Sequence, residues 1–330
     1  MKKLLMKILK IITNLCNKYK QIEKAANKKS AVIGVFFLIL DGITRHKTGF
    51  YFNFIERYLY KTMREEIGLF KRRISQTNKK QRNKKFEFYD KIPIWVCWIQ
   101  GEEEMPELVH VCYERLKTMA PDPADVVLIT KENINNYINL NSGIIKKYEN
   151  KELSQTNFAD FIRVKLLSIY GGMWIDSTVY VSSRLSADLL NKTFYSQKTC
   201  DKFYVNRYAT RSKWASWFMI CSEHSLLFEF CEMMMEHYYL KSKGIIDYYI
   251  IDYFILIAYH NFPEVKRVID NVERNNIYAF ELVKILNKPY DDITMNDILS
   301  KNQFNKLSHK VPATLVSDGK PTNYAILLKE

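Results

Sequence analysis

Apolar positions in the first twenty-two residues recur at the spacing of a helix. Projected at about 100° per residue, Leu4, Leu5, Ile8, Leu9, Ile11, Ile12, Leu15, Cys16, Tyr19 and Ile22 share one side. Lys3, Lys7, Lys10, Asn14 and Asn17 lie opposite, with Met6 as the misfit. A lysine-rich face backing an apolar one fits a helix lying in a membrane interface. It also fits a helix packed on a globular body with its lysines in solvent. The most apolar run, "AVIGVFFLIL" (31–40), is far shorter than the roughly 20 residues of a spanning helix, so no transmembrane segment is expected. Every proline stands at position 93 or later, and the proline-free stretch before it, rich in Lys, Leu and Ile, predicts helix.

From residue 92 the pattern changes to short apolar runs alternating with helical periods. "IPIWVCWIQG" (92–101) predicts a buried strand ending in glycine, and "MPELVHVCYERLKTMA" (105–120) a helix. "DVVLIT" (125–130) predicts a second strand, "ENINNYI" (132–138) the start of another helix, and "TNFADFIRVKLLSIY" (156–170) a helix running straight into "GGMWIDSTVYV". Segments 222–260, 263–272 and 293–300 predict helices, and "PATLV" and "NYAILL" short strands. Such alternation with short connections argues an α/β fold, a mainly parallel sheet flanked by helices. No internal repeat is visible.

Charge sharpens the division. Residues 1–91 carry 23 Lys and Arg against 7 acids, a net of +16, whereas 92–330 carry 27 against 29, a net of −2. The segment "KRRISQTNKKQRNKK" (71–85) holds eight basic residues and no acid, and predicts a flexible polybasic linker. We therefore expect a basic, helical, membrane-surface-associating region over 1–91 and a near-neutral globular domain over 92–330. An anionic lipid surface attracts such a basic segment. Nucleic acid is not expected as a partner, because no aromatic platform or recognised nucleic-acid module accompanies the charge. Six scattered cysteines, mostly in apolar surroundings and without a Cys-x-x-Cys spacing, argue against a zinc site or a disulfide framework and fit a reducing compartment. No signal peptide is evident.

Candidate chemistry gathers at residues 156–181. Gly171 and Gly172 separate a helix from a strand, and glycine is otherwise scarce, 10 in 330. They allow a tight reversal and close backbone approach. Met173, Trp174 and Ile175 predict a strand buried on both faces, with Asp176 where it emerges. In open α/β sheets, ligands bind beyond the carboxyl ends of the strands, which suits an aspartate facing a metal, a ribose hydroxyl or a sugar. A turn-capping aspartate is the alternative. Asp160 and Arg163 share a helix face and offer an acceptor and a forked donor. If Asn157 caps that helix, Asp160 instead falls at its third residue and favours the macrodipole. Asp252 fits a tyrosine-bonded structural carboxylate or an acceptor contact, and Trp214 and Trp217 fit core packing or sugar stacking.

The stretch "FADFIRVKLLSIYGGMWIDSTVYV" resembles the core signature of the capsular polysaccharide synthesis family, nucleotide-sugar glycosyltransferases related to glycosyltransferase family 32. An Asp-x-x-Arg helix is followed there by Gly-Gly-aromatic-x-Asp on a strand. "IPIWVCWIQG" with "PELVHVCYERLK", "DYYIIDYF" (247–254) and "NKLSHK" (305–310) add to the resemblance, and more loosely so does "GFYFNFIERYLY". It covers residues 90–312 and implies a GT-A-like, Rossmann-type fold. It implies transfer of a sugar, with retention, from a UDP-sugar to a growing capsular or other surface glycan, or to its lipid-linked form. The protein would then act in the cytoplasm, peripheral at the inner face of the cell membrane. Two alternatives are a transferase acting on a protein acceptor and a catalytically silent membrane-docked relative.

By the same resemblance Asp160, Arg163 and Asp176 are the catalytic and donor-binding residues, and Trp98, Gln100 and Gly101 form the nucleotide end. Core packing accounts for Trp95, and for Trp98 equally well. Asp176 would be the first acid of an Asp-x-Asp pair and, with Thr178 in place of the second, would hold a divalent cation, Mn²⁺ or Mg²⁺. On a strand, residues two apart face the same way, but a hydroxyl is a weak ligand for a hard cation. Three arrangements stay open. Asp176 binds the ion with a distant acid such as Asp318. Or the ion binds chiefly through the diphosphate. Or a basic residue, Lys310, Lys320 or His309, takes over part of its role.

Overall fold

The computed structural model describes residues 2–45, 48–76, 91–122, 124–199 and 208–329. Four helices come first: α1 (Lys2–Ala25), α2 (Lys28–Ile43), α3 (Phe50–Thr62) and α4 (Arg64–Gln76). Then come β1 (Ile92–Cys97), α5 (Glu107–Met119), β2 (Ala124–Ile129), α6 (Ser142–Glu149), α7 (Gln155–Ile169), β3 (Gly172–Ile175) and β4 (Val179–Val181). The chain continues through α8 (Ala187–Leu190), β5 (Phe194–Ser196), β6 (Phe218–Cys221), α9 (Leu226–Lys241), α10 (Ile250–Asn261) and α11 (Pro263–Asp270). It ends with α12 (Glu281–Ile285), α13 (Asp292–Lys301), β7 (Phe304–Lys306), β8 (Val316–Ser317), β9 (Lys320–Pro321) and α14 (Asn323–Leu327).

The central sheet has the order β2-β1-β3-β6-β5. β1 is parallel to β2 and β3, and β6 is antiparallel to both β3 and β5, so every strand but β6 runs the same way. This is the mainly parallel α/β sheet that the alternation predicts. Successive side chains take opposite faces. Trp95, Trp174 and Met219 enter the core against α7, α9 and α10, whereas Ile94, Val96, Met173, Ile175 and Ile220 enter a second core with Tyr113 and Leu116 of α5. Parallel strands covered on both faces read as unbroken apolar runs, which is why "IPIWVC" and "GMWI" carry no polar residue.

Two glycines make the joint between α7 and the sheet possible. Gly171 and Gly172 both take positive φ, +62° and +86°. A Cβ at Gly171 would lie 2.4 Å from the Glu223 nitrogen, and one at Gly172 would lie 2.3 Å from the Pro93 oxygen. The Trp95 indole donates to the Gly171 carbonyl at 2.9 Å, fixing the joint against β1.

The N-terminal helices do not stand apart from this body. Ile22, Ala31, Tyr51, Ile55, Leu59, Ile67 and Phe70 belong to the same buried cluster as α7, α9 and α10. Asp41, buried, accepts from the Phe50 and Tyr51 backbone N–H groups at 2.9 and 2.8 Å and so caps α3 from the end of α2. Asp247, just before α10, takes hydrogen bonds from Lys18 of α1 (2.8 Å) and Tyr51 of α3 (2.6 Å). Residues 5–14 of α1 are exposed all round. On α2, Val32, Phe36, Ile39 and Ile43 form an exposed apolar stripe, 42–73% accessible. Among the described residues no helix is long and apolar enough to cross a membrane.

Several sequence expectations need correction. Lys71–Gln76, expected in a flexible linker, continue α4 as helix; residues 77–85 lie outside the described residues. Segment 132–138 holds only a short 3₁₀ turn at 134–136. The Asn133 side chain accepts from the Thr130 N–H and donates to the Leu128 carbonyl, competing with helix. "NYAILL" is helical, α14, because the Thr322 hydroxyl accepts from the Ala325 N–H and caps it. "PATLV" contributes only Val316 to a strand.

Candidate functional site

Asp176 stands where β3 ends. Its N–H donates to the Trp217 carbonyl, and its own carbonyl accepts from Val179, closing a turn that leads into β4. Asp176 and Thr178 are therefore turn residues rather than strand neighbours two apart. They reach the same point by a different route from the one their spacing suggests.

The helix behind them is capped by Ser154, whose hydroxyl accepts from the Asn157 N–H at 3.1 Å. Asn157 is not the cap, and Asp160 lies a full turn deeper than a macrodipole role requires. Asp160 and Arg163 are both 5% exposed. Arg163 Nη1 pairs with Asp160 Oδ1 at 3.0 Å and Nη2 with Asp176 Oδ1 at 2.9 Å. The guanidinium lies over the Trp174 ring at 4.7 Å, and that indole also donates to Asp176 Oδ1 at 3.0 Å. One arginine thus joins the helix acid to the strand-end acid and lies over the intervening tryptophan.

The other oxygen of Asp176 meets Lys306, to which the sequence alone assigns no role although it belongs to the "NKLSHK" stretch. Lys306 Nζ donates to Asp176 Oδ2 at 2.9 Å and to Thr178 Oγ1 at 2.6 Å. β7 brings it there by pairing antiparallel with β4, Lys306 opposite Val179. Burial alone would raise the Asp176 pKa, but Lys306 and Arg163 outweigh it and hold the carboxyl below its usual range. Burial pushes Asp160 the other way, up to about 6, despite Arg163.

These groups line one side of a cleft of about 740 Å³. Trp98, Gln100, Asp160, Arg163, Asp176 and Thr178 all face it, as do His309 and Lys310. Gly101 does not line it: its φ of +101° serves the turn into residues 102–104, with open space around it. The Trp98 ring meets His309 edge-on at 5.5 Å, and Gln155 donates to Gln100 at 2.9 Å, so one rim is closed by paired side chains. Burial, with Lys310 and Lys306 nearby, lowers the His309 pKa.

The remaining expectations fall outside the cleft. Asp318 and Lys320 belong to the β8–β9 hairpin, where both are exposed. Trp214 is buried and donates to Asp252 at 2.8 Å, so Asp252 is tied to an indole rather than to a tyrosine. Among the described residues, the one trio of His and acidic side chains with ligand atoms within 4.8 Å of one another is Glu102, His110 and Glu114, none of which lines the cleft. The cleft can therefore present two paired carboxylates, an arginine, two lysines and aromatic walls to a ligand carrying both hydroxyls and negative charge.

Comparison with known proteins agrees with the sequence signature. No curated protein matches the chain, and no solved structure does. The sequence model of the family described as "Capsular polysaccharide synthesis protein" matches residues 42–324, a span from the end of α2 to α14 that contains the whole cleft. On that match the chain belongs to the capsular polysaccharide synthesis protein family, whose role is the synthesis of capsular polysaccharide.

Proposed function

We propose that the protein is a glycosyltransferase that moves a sugar from a nucleotide sugar, with UDP as the nucleotide, onto a capsular or related surface glycan. The observation that carries this reading is Arg163 bridging Asp160 and Asp176 on the cleft floor. Both acids retain lone pairs for sugar hydroxyls, and the bridge fixes their orientation before any ligand arrives. Trp98 and Gln100 line the rim where a base would rest.

In the reaction, an acceptor hydroxyl oxygen forms a bond to the anomeric carbon as the bond from that carbon to the diphosphate breaks. The electron pair stays on the departing diphosphate oxygen, which takes the hydroxyl proton, and configuration is retained. Removing one preorganised charge from such a site costs about 10²–10³ in rate. A GT-A-like fold for the mainly parallel sheet, and the exposed apolar surface of α1 and α2 flanked by lysines, belong to the same reading: a transferase seated on an anionic membrane surface at the cytoplasmic face.

The test is UDP release by the full chain with a panel of UDP-sugars and a capsular acceptor. Asp176→Asn is expected to lower the rate at least a hundredfold while leaving the thermal midpoint within a few degrees of wild type. Equal rates for the two proteins, or UDP binding without turnover of any sugar, would remove the enzyme reading.

A further inference from the structure

We propose that Lys306, rather than a divalent metal ion, is the cation that holds the leaving diphosphate; this rests on the reading of the cleft as a nucleotide-sugar site. An ion bound by Asp176 and Thr178 would need to lie about 2.0–2.6 Å from their oxygens. The Lys306 ammonium occupies that ground, 2.9 Å from Asp176 Oδ2 and 2.6 Å from Thr178 Oγ1. A metal and the ammonium cannot share it, since two like charges at contact repel strongly.

The rest of the donor set offers an ion only acceptors already engaged with a built-in cation. Asp176 Oδ1 already accepts from both Arg163 and Trp174. Asp160, the other acid of the cleft, is buried against Arg163. Thr178 supplies a neutral hydroxyl where a carboxylate would be needed. The site instead has the form expected of a built-in cation. An ammonium has three donors, and Asp176 and Thr178 take two of those on Lys306. The third is left for an anionic oxygen, and the side chain is 19% exposed and lines the cleft.

Thr178 fits this arrangement better than an acid would. Its hydroxyl accepts from the ammonium without neutralising it, so positive charge remains to face the diphosphate. Other candidate cations serve less well. His309 is held toward its neutral form, and Lys320 is exposed on the hairpin outside the cleft. Lys310 lies on the rim and can assist.

Binding of UDP to the full chain, followed by calorimetry in EDTA and again in Mn²⁺, tests the proposal. Wild type is expected to bind with the same affinity in both. Lys306→Met should lose at least tenfold, and Lys306→Arg should bind in EDTA as in Mn²⁺. Thr178→Asp combined with Lys306→Ala is expected to bind UDP only when Mn²⁺ is present. Wild-type binding that vanishes in EDTA and returns with Mn²⁺ overturns the role of Lys306 and leaves the nucleotide-sugar reading standing, as does a folded Lys306→Met that binds like wild type. UDP bound in neither buffer overturns both. If Lys306→Met does not fold, the wild-type comparison decides alone.

Discussion

The Asp252 carboxyl is sealed from water at 2% exposure and takes a hydrogen bond from the Trp214 indole. Burial pushes its pKa up to about 7, against the pull of that bond. The sign follows from linkage. A folded-state pKa above the unfolded value means that the native protein holds the proton more tightly. This carboxyl therefore costs no stability below pH 3.8, and its ionisation progressively destabilises the fold as pH rises toward about 7. Asp252→Asn mimics the protonated acid and can still accept from Trp214. Its thermal midpoint should match wild type near pH 4 and exceed it by a few degrees near pH 8. A constant difference across that range would show that the carboxyl is not the source. At this scale the sequence was partly legible. Asp160, Arg163 and Asp176 stood out because they sit within one helix–strand unit whose glycines mark the joint. Lys306 did not, because it is 130 positions from Asp176 and only the β4–β7 pairing brings it home.

Among the elements, α2 shows most plainly what a hydrophobic pattern can and cannot say. The run 31–40 is apolar on every side, so periodicity alone does not reveal which face is buried. Packing decides: Ala31, Gly34 and Asp41 turn inward, with Gly34 admitting the Ile22 side chain to 2.7 Å from where a Cβ would stand. Val32, Phe36, Ile39 and Ile43 turn outward. Apolar residues spaced at 32, 36, 39 and 43 lie along one line of a helix, and lysines of α1 and the start of α2 border them in sequence. On the membrane reading, Phe36→Asp with Ile39→Asp should abolish sedimentation with phosphatidylglycerol vesicles. High salt should weaken binding of the wild type, and phosphatidylcholine vesicles should bind far less of it. Retention of the double variant on anionic vesicles would defeat the membrane role of this stripe. Elements whose ends depend on a single side chain were the ones misread. Asn133 curtails a helix at 134, and Thr322 starts one at 323 where the apolar run suggested a strand.

For the whole molecule, the sharp change in charge near residue 91 suggests two regions, yet one buried cluster runs from Ile22 and Phe70 through α7, α9 and α10. Charge patterning describes surfaces, and the surface of the N-terminal helices is basic whether or not their inner face joins the body. Cooperativity distinguishes the cases. All five tryptophans lie between 95 and 217, so indole fluorescence reports on the sheet region while far-ultraviolet dichroism reports on every helix. We expect the two signals to coincide in a urea titration, as a single transition requires. An early dichroism phase without change in fluorescence would mean that α1 to α4 unfold independently.

The hydrogen bonds at Asp247 carry a further consequence. This one carboxylate is tied to α1 through Lys18 and to α3 through Tyr51, and the next residue, Tyr248, lines the cleft. Were the N-terminal helices joined to the sheet only by a loose tether, a protein resting on a bilayer would present its cleft at every height and angle. With the tie in place, height and tilt are set together. If the protein rests on a bilayer as proposed, an acceptor anchored in the same bilayer would search in two dimensions for a mouth at a constant distance from the lipid. Its encounter rate would then depend on its density in the bilayer and on whether its anchor lets the sugar reach the height of the mouth.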